Sequence, residues 1–372
     1  MMKAVHKRTH KKPDGRALIL YARHPLDEGV AGTAAIEAPS PSVTPPGTKS
    51  HLRWHPLRGE WVAYANHRQN RTFLPPPEYN PLAVTVDPAA PTELPQGAWD
   101  VAVFDNRFPS LAPGADEAPP SIVETAPGTG KCEVVVFTQD RLSSLGRLPL
   151  SHIELLLQVW ADRTAKVGAG TDIQYVLPFE NRGAEVGVTL HHPHGQIYAY
   201  PSVPPVPARM QQVAQAYYER TGRGVLQDHI AKEIEDAQRL VYRGEYAVAF
   251  VPAAARYPYE VWVATIDPVA TFCDLSGPQR ADLARALKTV LMKYDALWHR
   301  PFPYLMAWYQ APTDGRPHPE SHLHAEFYPP YRTRERLKYL AGTEIAAGWF
   351  AMDALPEEKA LELQQIHVDV DA

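Results

Sequence analysis

The residues best equipped for chemistry stand in one run, Gly187-Val-Thr-Leu-His-His-Pro-His-Gly-Gln196. Histidine is far denser here than its background of 16 in 372 residues. Alternate residues on a strand point to one face, so His192 and His194 can address one site together. Pro193 stiffens the chain between them, and Gly195 is expected to let a ligand approach the backbone. A neutral imidazole is a good nucleophile when its other nitrogen donates to a fixed acceptor. One histidine can then attack phosphorus while its neighbours orient it, and the Gln196 amide, two residues on and on the same face, can donate to a phosphoryl oxygen without adding charge. A His-rich edge strand or a metal clamp fits the same spacing equally well.

The elements that must hold this run are legible around it. The apolar strand 133–138 precedes Ser151-His-Ile-Glu154, which reads as a capping box. The helix that follows carries Ile153, Leu156, Leu157, Trp160 and Val167 on one face. A strand over 172–179 leads to His192 and His194. The second half repeats the order: strand 260–265, the box Ser276-Gly-Pro-Gln279, a helix faced by Leu283, Leu287, Val290, Leu291, Tyr294 and Trp298, strand 302–309, then His322 and His324. Any α+β chain shows strand, helix, strand; the matching His-x-His placement makes a duplicated α+β unit the better reading. Between the halves, residues 208–241 read as helical with a break at Gly222 and Gly224.

Composition bounds the rest. Prolines number 38, about twice the usual share. They crowd a Pro/Ser/Thr-rich stretch within the first 50 residues, a segment from Phe73 to Pro127 that should wrap over a core, and the 201–207 junction. The first 50 residues are expected to be an extended or mobile arm, with order beginning near His51, a first half over 51–207 and a second over 208–372. Thirty-seven basic against 42 acidic residues, a net charge of −5, removes the broad basic field of a general nucleic-acid binder. Two distant cysteines, Cys132 and Cys273, exclude a disulfide framework and suit a reducing, cytoplasmic setting. No stretch approaches a membrane span. The GTGKC sequence at 128–132 lacks P-loop spacing.

His192-Pro-His-Gly-Gln196, preceded by Phe179-Glu-Asn-Arg-Gly183, resembles the active-site signature of the galactose-1-phosphate uridylyltransferases of the histidine-triad superfamily. Arg53–Trp61, His67–Arg71, Val103–Phe108, Phe327–Pro330 and the stretch from Lys338 to Glu344 are similar to further family segments in the same order, so the resemblance spans roughly His51 to Leu355. It implies an α+β fold of two histidine-triad-like units, each an antiparallel sheet with packed helices. It also implies a ping-pong reaction in which His194 attacks the α-phosphorus of UDP-glucose, glucose 1-phosphate leaves, and galactose 1-phosphate takes the uridylyl group to give UDP-galactose. By the same resemblance, His192 and Gln196 join His194 in catalysis. Arg68, Arg71, Asn181 and Thr189 fall at phosphate-side positions, Asn106 and Phe108 at uridine positions, and Lys338 and Glu344 at hexose-side positions. Without the resemblance, the arginines read as solvated surface residues, Asn106 and Phe108 as a turn residue and a core aromatic, and Lys338 and Glu344 as an exposed helix face. The family further suggests a homodimer with sites near the subunit interface.

The chain departs from the family at its metals. A zinc site built from a CxxC pair, a connecting histidine and the first His of HPHGQ would need ligands where this chain has Asn80-Pro-Leu-Ala83 and Arg141. Only His192 remains, and one imidazole does not hold structural zinc. Zinc is therefore expected to be absent, with stiff backbone at Pro75-Pro76-Pro77 holding the loop. An iron site would fall on Met210, Tyr309, His324 and Glu326, an incomplete set; His322, His324 and Glu326 on one strand face are a remaining metal alternative. Two further functions stay open: a related nucleotidylyltransferase or phosphorylase using ADP-sugars or dinucleoside polyphosphates, and a non-catalytic nucleotide-sugar-binding protein.

Overall fold

Eleven strands join one antiparallel sheet in the computed structural model, which describes residues 5–26, 37–47, 49–70 and 79–371. In chain order they are β1 His6–Lys11, β2 Ala17–Ala22, β3 Val101–Asp105, β4 Lys131–Val136, β5 Tyr175–Arg182, β6 His194–Tyr200, β7 Leu240–Arg243, β8 Ala247–Phe250, β9 Val261–Thr265, β10 Tyr304–Tyr309 and β11 His324–Tyr328. Across the sheet the order is β1-β2-β3-β4-β6-β5-β10-β11-β9-β8-β7. The inner part is a palindrome: β3-β4-β6-β5 meets β10-β11-β9-β8. The seam pairs Phe179 with Ala307 and Asn181 with Leu305. The duplicated α+β unit is thus one continuous sheet folded about a local two-fold.

Both long helices lie on one face of this sheet. Helix α1 (Leu150–Gly168) follows β4, and α4 (Gly277–Leu297) follows β9. The apolar stripes at Ile153, Leu156, Leu157 and Trp160, and at Leu283, Leu287, Val290, Leu291 and Tyr294, are buried in a single core. Trp160 of the first half lies 5.7 Å from Trp308 of the second, ring centre to ring centre, so the halves share their packing.

The other face carries the histidines and is covered differently in each half. In the second half, α2 (Pro205–Thr221) and α3 (Val225–Asp236) cover it, broken at Gly222, whose φ of +68° ends α2 in the left-handed region. In the first half, Leu82 and Leu94 of the proline-rich wrap pack with Leu18 and Leu20 of β2. Among the described residues no helix is long and apolar enough to cross a membrane.

Two expectations change. The N-terminal arm is not wholly extended or mobile: β1 pairs with β2, and β2 with β3, extending the main sheet. The short apolar run 17–22 is a buried strand, and the basic run 6–11 is the sheet's edge, where charge is tolerated. The Ser276–Gln279 box forms, with Gln279 N–H donating to Ser276 Oγ at 3.4 Å and Ser276 N–H to Gln279 Oε1 at 3.0 Å. The Ser151–Glu154 box does not, because α1 already begins at Leu150 behind Pro149 and Ser151 Oγ accepts from Arg23.

Candidate active site

His194 is the first residue of β6, and alternation along that strand puts His194, Gln196 and Tyr198 on the face away from the helices, while Gly195, Ile197 and Ala199 are buried against the core. Gly195 is needed for close packing rather than for ligand approach. A Cβ there would lie 2.7 Å from the Phe179 carbonyl oxygen and 2.8 Å from the Phe137 ring.

Two hydrogen bonds set the histidine chemistry. His194 Nδ1 lies 2.7 Å from the His192 carbonyl oxygen, which can only accept, so Nδ1 carries the proton and Nε2 keeps its lone pair. His192 is just outside the strand and 3% exposed. Its Nε2 donates to the Thr138 carbonyl at 2.7 Å, and its Nδ1 accepts from the Asn80 amide at 3.0 Å. Burial pushes both imidazoles below the usual histidine pKa, opposed in each by its bond to a backbone carbonyl. Both are therefore neutral at pH 7. His192 and His194 do not address the site side by side: His192 is spent on structure, and His194 alone presents a free nitrogen.

A cavity of about 480 Å³ opens beside His194, lined among others by Arg147, Glu180, Asn181, Arg182 and Pro303. Asn181 Oδ1 is buried there without a protein partner, an acceptor left for a ligand. Glu180 takes a hydrogen bond from Tyr304 at 2.9 Å, and burial lifts its pKa to about 7 against the pull of Arg182. Glu180 belongs to the FENRG run, and only its place in a cavity wall, invisible in sequence, singles it out.

Other candidates group on the His194 face farther along β6. Asn106 donates to Gln196 Oε1 at 3.4 Å and accepts from the Phe108 N–H at 2.9 Å. Arg68 is not a solvated surface arginine: one Nη1 reaches the Phe108 carbonyl, Ser110 Oγ and the Tyr198 hydroxyl at 3.1–3.2 Å. Thr189 is half-buried between Val188 and Leu190, which line the cavity. Arg71 and Pro75–Pro77 lie outside the described residues. Lys338 and Glu344 are buried rather than exposed, 3.8 Å apart, with Lys338 donating to the Ala351 carbonyl; neither lines the His194 cavity.

Neither metal site of the resemblance fits the residues present. Both ring nitrogens of His192 are taken, by Thr138 and Asn80, so zinc finds no free donor on it. In the second half, His324 Nε2 and Glu326 Oε1 face each other at 3.3 Å, Glu326 Oε2 takes Arg256 at 3.0 Å and Tyr328, and the Tyr309 hydroxyl meets that of Tyr328 at 3.0 Å. His322 turns Nε2 to the Thr265 carbonyl at 2.8 Å. The alternative cluster His322, His324 and Glu326 is therefore not assembled. Among the described residues no three His, Cys, Asp or Glu side chains are grouped to hold a metal.

Comparison with known proteins identifies the family. Residues 42–204 match the N-terminal domain of galactose-1-phosphate uridyl transferase, and residues 210–371 match its C-terminal domain. The chain is 36% identical over 326 residues to galactose-1-phosphate uridylyltransferase of Thermotoga maritima, covering 86% of this chain and 99% of that one. It is 35% identical over 327 residues to the Streptomyces lividans protein of the same name, covering 86% of each. A solved uridylyltransferase structure superposes with a TM-score of 0.75 at 32% identity, over 84% of this chain and 97% of that one. Sequence, site geometry and fold thus converge: the chain belongs to the galactose-1-phosphate uridyl transferase family.

Proposed function

We propose that this protein is a galactose-1-phosphate uridylyltransferase working by double displacement on His194. The observation that carries the reading is the fixed tautomer: Nδ1–H bonded to the His192 carbonyl, Nε2 free beside the cavity. In the first displacement the Nε2 lone pair forms a bond to the α-phosphorus of UDP-glucose, and the bond to the glucose 1-phosphate oxygen breaks, that oxygen keeping the electron pair. The imidazole becomes cationic while uridylylated, and the His192 carbonyl dipole stabilises that charge through Nδ1–H. In the second displacement an oxygen of galactose 1-phosphate attacks the same phosphorus, and the P–N pair returns to Nε2.

Charge on the phosphoryl oxygens is met by neutral and cationic donors. Gln196, whose oxygen is held toward Asn106, supplies the first kind with its amide N–H; Arg68 and Arg71 are assigned the second, and Asn181 is assigned to the phosphate side. Thr189 adds a hydroxyl on the phosphate side, and Asn106 and Phe108 are assigned to uridine. Lys338 and Glu344 are assigned to the hexose in a homodimer with sites near its interface. Tyr339, Ile345 and Trp349 beside them are 75%, 61% and 75% exposed, an apolar surface that suits a partner. Light scattering giving a single-chain mass would refute the dimer. The two free cysteines suit the cytoplasm.

Mass spectrometry after treatment with UDP-glucose tests the central claim. A uridylyl adduct on His194, discharged by galactose 1-phosphate, is expected. Turnover with ADP-glucose in place of UDP-glucose would favour the phosphorylase reading, and binding without any exchange would favour the non-catalytic one.

A further inference from the structure

We infer that Asn80 is a positioning residue for the nucleophile, and that the N-terminal hairpin holds it in place by packing and buried ion pairs where a metal would otherwise bind. The inference rests on the uridylyl-transfer reading of His194. Its first support is hydrogen-bond bookkeeping. His192 Nε2 must be the protonated nitrogen, since the Thr138 carbonyl only accepts, so Nδ1 needs a donor. The Asn80 amide is that donor at 3.0 Å. Its own orientation is fixed, because Oδ1 accepts the Leu82 N–H at 3.0 Å and leaves Nδ2 for the imidazole. The His192 carbonyl then receives His194 Nδ1–H, so one chain of bonds runs from Asn80 through His192 to the nucleophile.

The second support is what holds Asn80. The wrap returns on itself through Glu93 N–H to the Pro81 carbonyl at 3.0 Å. Glu93 in turn takes Lys12 on both its carbonyl and its carboxylate at 2.6 Å, and Arg16 at 2.7 Å; Asp14 and Ser40 complete a buried cluster. Lys12 and Arg16 flank the turn of the β1–β2 hairpin, whose Leu18 and Leu20 pack on Leu82 and Leu94. The hairpin lies before residue 42, outside the span matched by the family. The third support is internal: the matching His322 has its Nδ1 buried with no partner, so this donor is an added feature of the first half and not a by-product of the His-x-His frame.

The experiment replaces Asn80 by Asp, which still accepts the Leu82 N–H but cannot donate to His192. Single-turnover uridylylation by UDP-glucose should slow about 10-fold while the apparent affinity for UDP-glucose and the melting temperature stay near wild type. Glu93→Gln should slow it about threefold by loosening the brace, and should also lower the melting temperature because Lys12 and Arg16 lose a buried anionic partner. Histidine side-chain 15N spectra of the wild-type protein should show His192 protonated at Nε2 with an accepting Nδ1, and this reading stands even if N80D does not fold. Wild-type rates in folded N80D, a protonated His192 Nδ1, or stoichiometric zinc in active wild-type protein would each overturn the inference. Failure of wild-type protein to form any adduct would instead overturn the uridylyl-transfer reading, and the 15N result would still judge Asn80.

Discussion

The two His-x-His sites share a frame and differ in what surrounds it. In both, the second histidine gives Nδ1–H to the carbonyl of the first at 2.7 Å, and the first gives Nε2–H to a carbonyl by the neighbouring strand. Along the strands His194, Gln196 and Tyr198 correspond to His324, Glu326 and Tyr328. At the reacting nitrogen the difference lies at one position. Gln196 is neutral and turned to Asn106, so His194 Nε2 stays free; Glu326 is a carboxylate facing His324 Nε2 at 3.3 Å. Burial alone would raise the Glu326 pKa, but the bonds from His324 and Tyr328 and the charge of Arg256 hold it below the usual range. An anion so placed repels a phosphoryl group and occupies the nucleophile. The frame fixes a proton on Nδ1; the residue two positions on decides whether Nε2 is free to react.

The largest effect should come from removing one histidine and not the other. His194→Ala should abolish adduct formation, by about 10⁴-fold or more, while His324→Ala should leave it within about threefold. Equal losses in both, measured as uridylylated protein against time, would break the comparison. Next in size is making the first site resemble the second. Gln196→Glu should cost about 10³-fold by placing an anion beside His194 and the phosphate, and Gln196→Ala about 10²-fold by removing a donor alone. A Glu variant no worse than the Ala variant would show that charge is not what separates the halves.

Much of this comparison was readable in the residues, because duplication leaves its order in the chain and a nucleophile needs a particular side chain at a particular spacing. The helix stripes and the Gly222 break were equally local, set by period and by a left-handed φ. What the sequence hid was long-range. Residues 17–22 look like any short apolar run until β3 lies beside them. Asn80 looks like a lost metal ligand until its amide is seen 3.0 Å from an imidazole 112 positions away. Arg68 looks solvent-facing until Tyr198 arrives from β6. Ser151 has the right spacing for a cap but sits two residues too late, because α1 already begins at Leu150 behind Pro149.

The smallest effect concerns stability and sets the first histidines of the two pairs side by side. Burial drives His322 down to about 4, helped by His324 and opposed by the Thr265 carbonyl. A histidine whose folded pKa lies below its unfolded value near 6.5 lends stability that is complete above pH 6.5 and lost as pH falls toward 4. At pH 5.5 the loss from His322 is about 1.4 kcal/mol. Glu180 and Glu260, raised to about 7 by burial, act oppositely in that window: the folded state binds their protons more tightly, so acid favours it. The wild-type slope is therefore a difference of opposed contributions, and the informative quantity is the change on substitution. His322→Asn, which can still donate to the Thr265 carbonyl but cannot be protonated, should lose less stability between pH 7 and 5.5 than wild type does, by about 1.2 kcal/mol in urea unfolding. His192→Asn should narrow the loss in the same direction, since its pKa is also depressed. A parallel acid slope in H322N and wild type would mean that His322 is not held neutral by burial, and the likeness between the two frames would end at their hydrogen bonds.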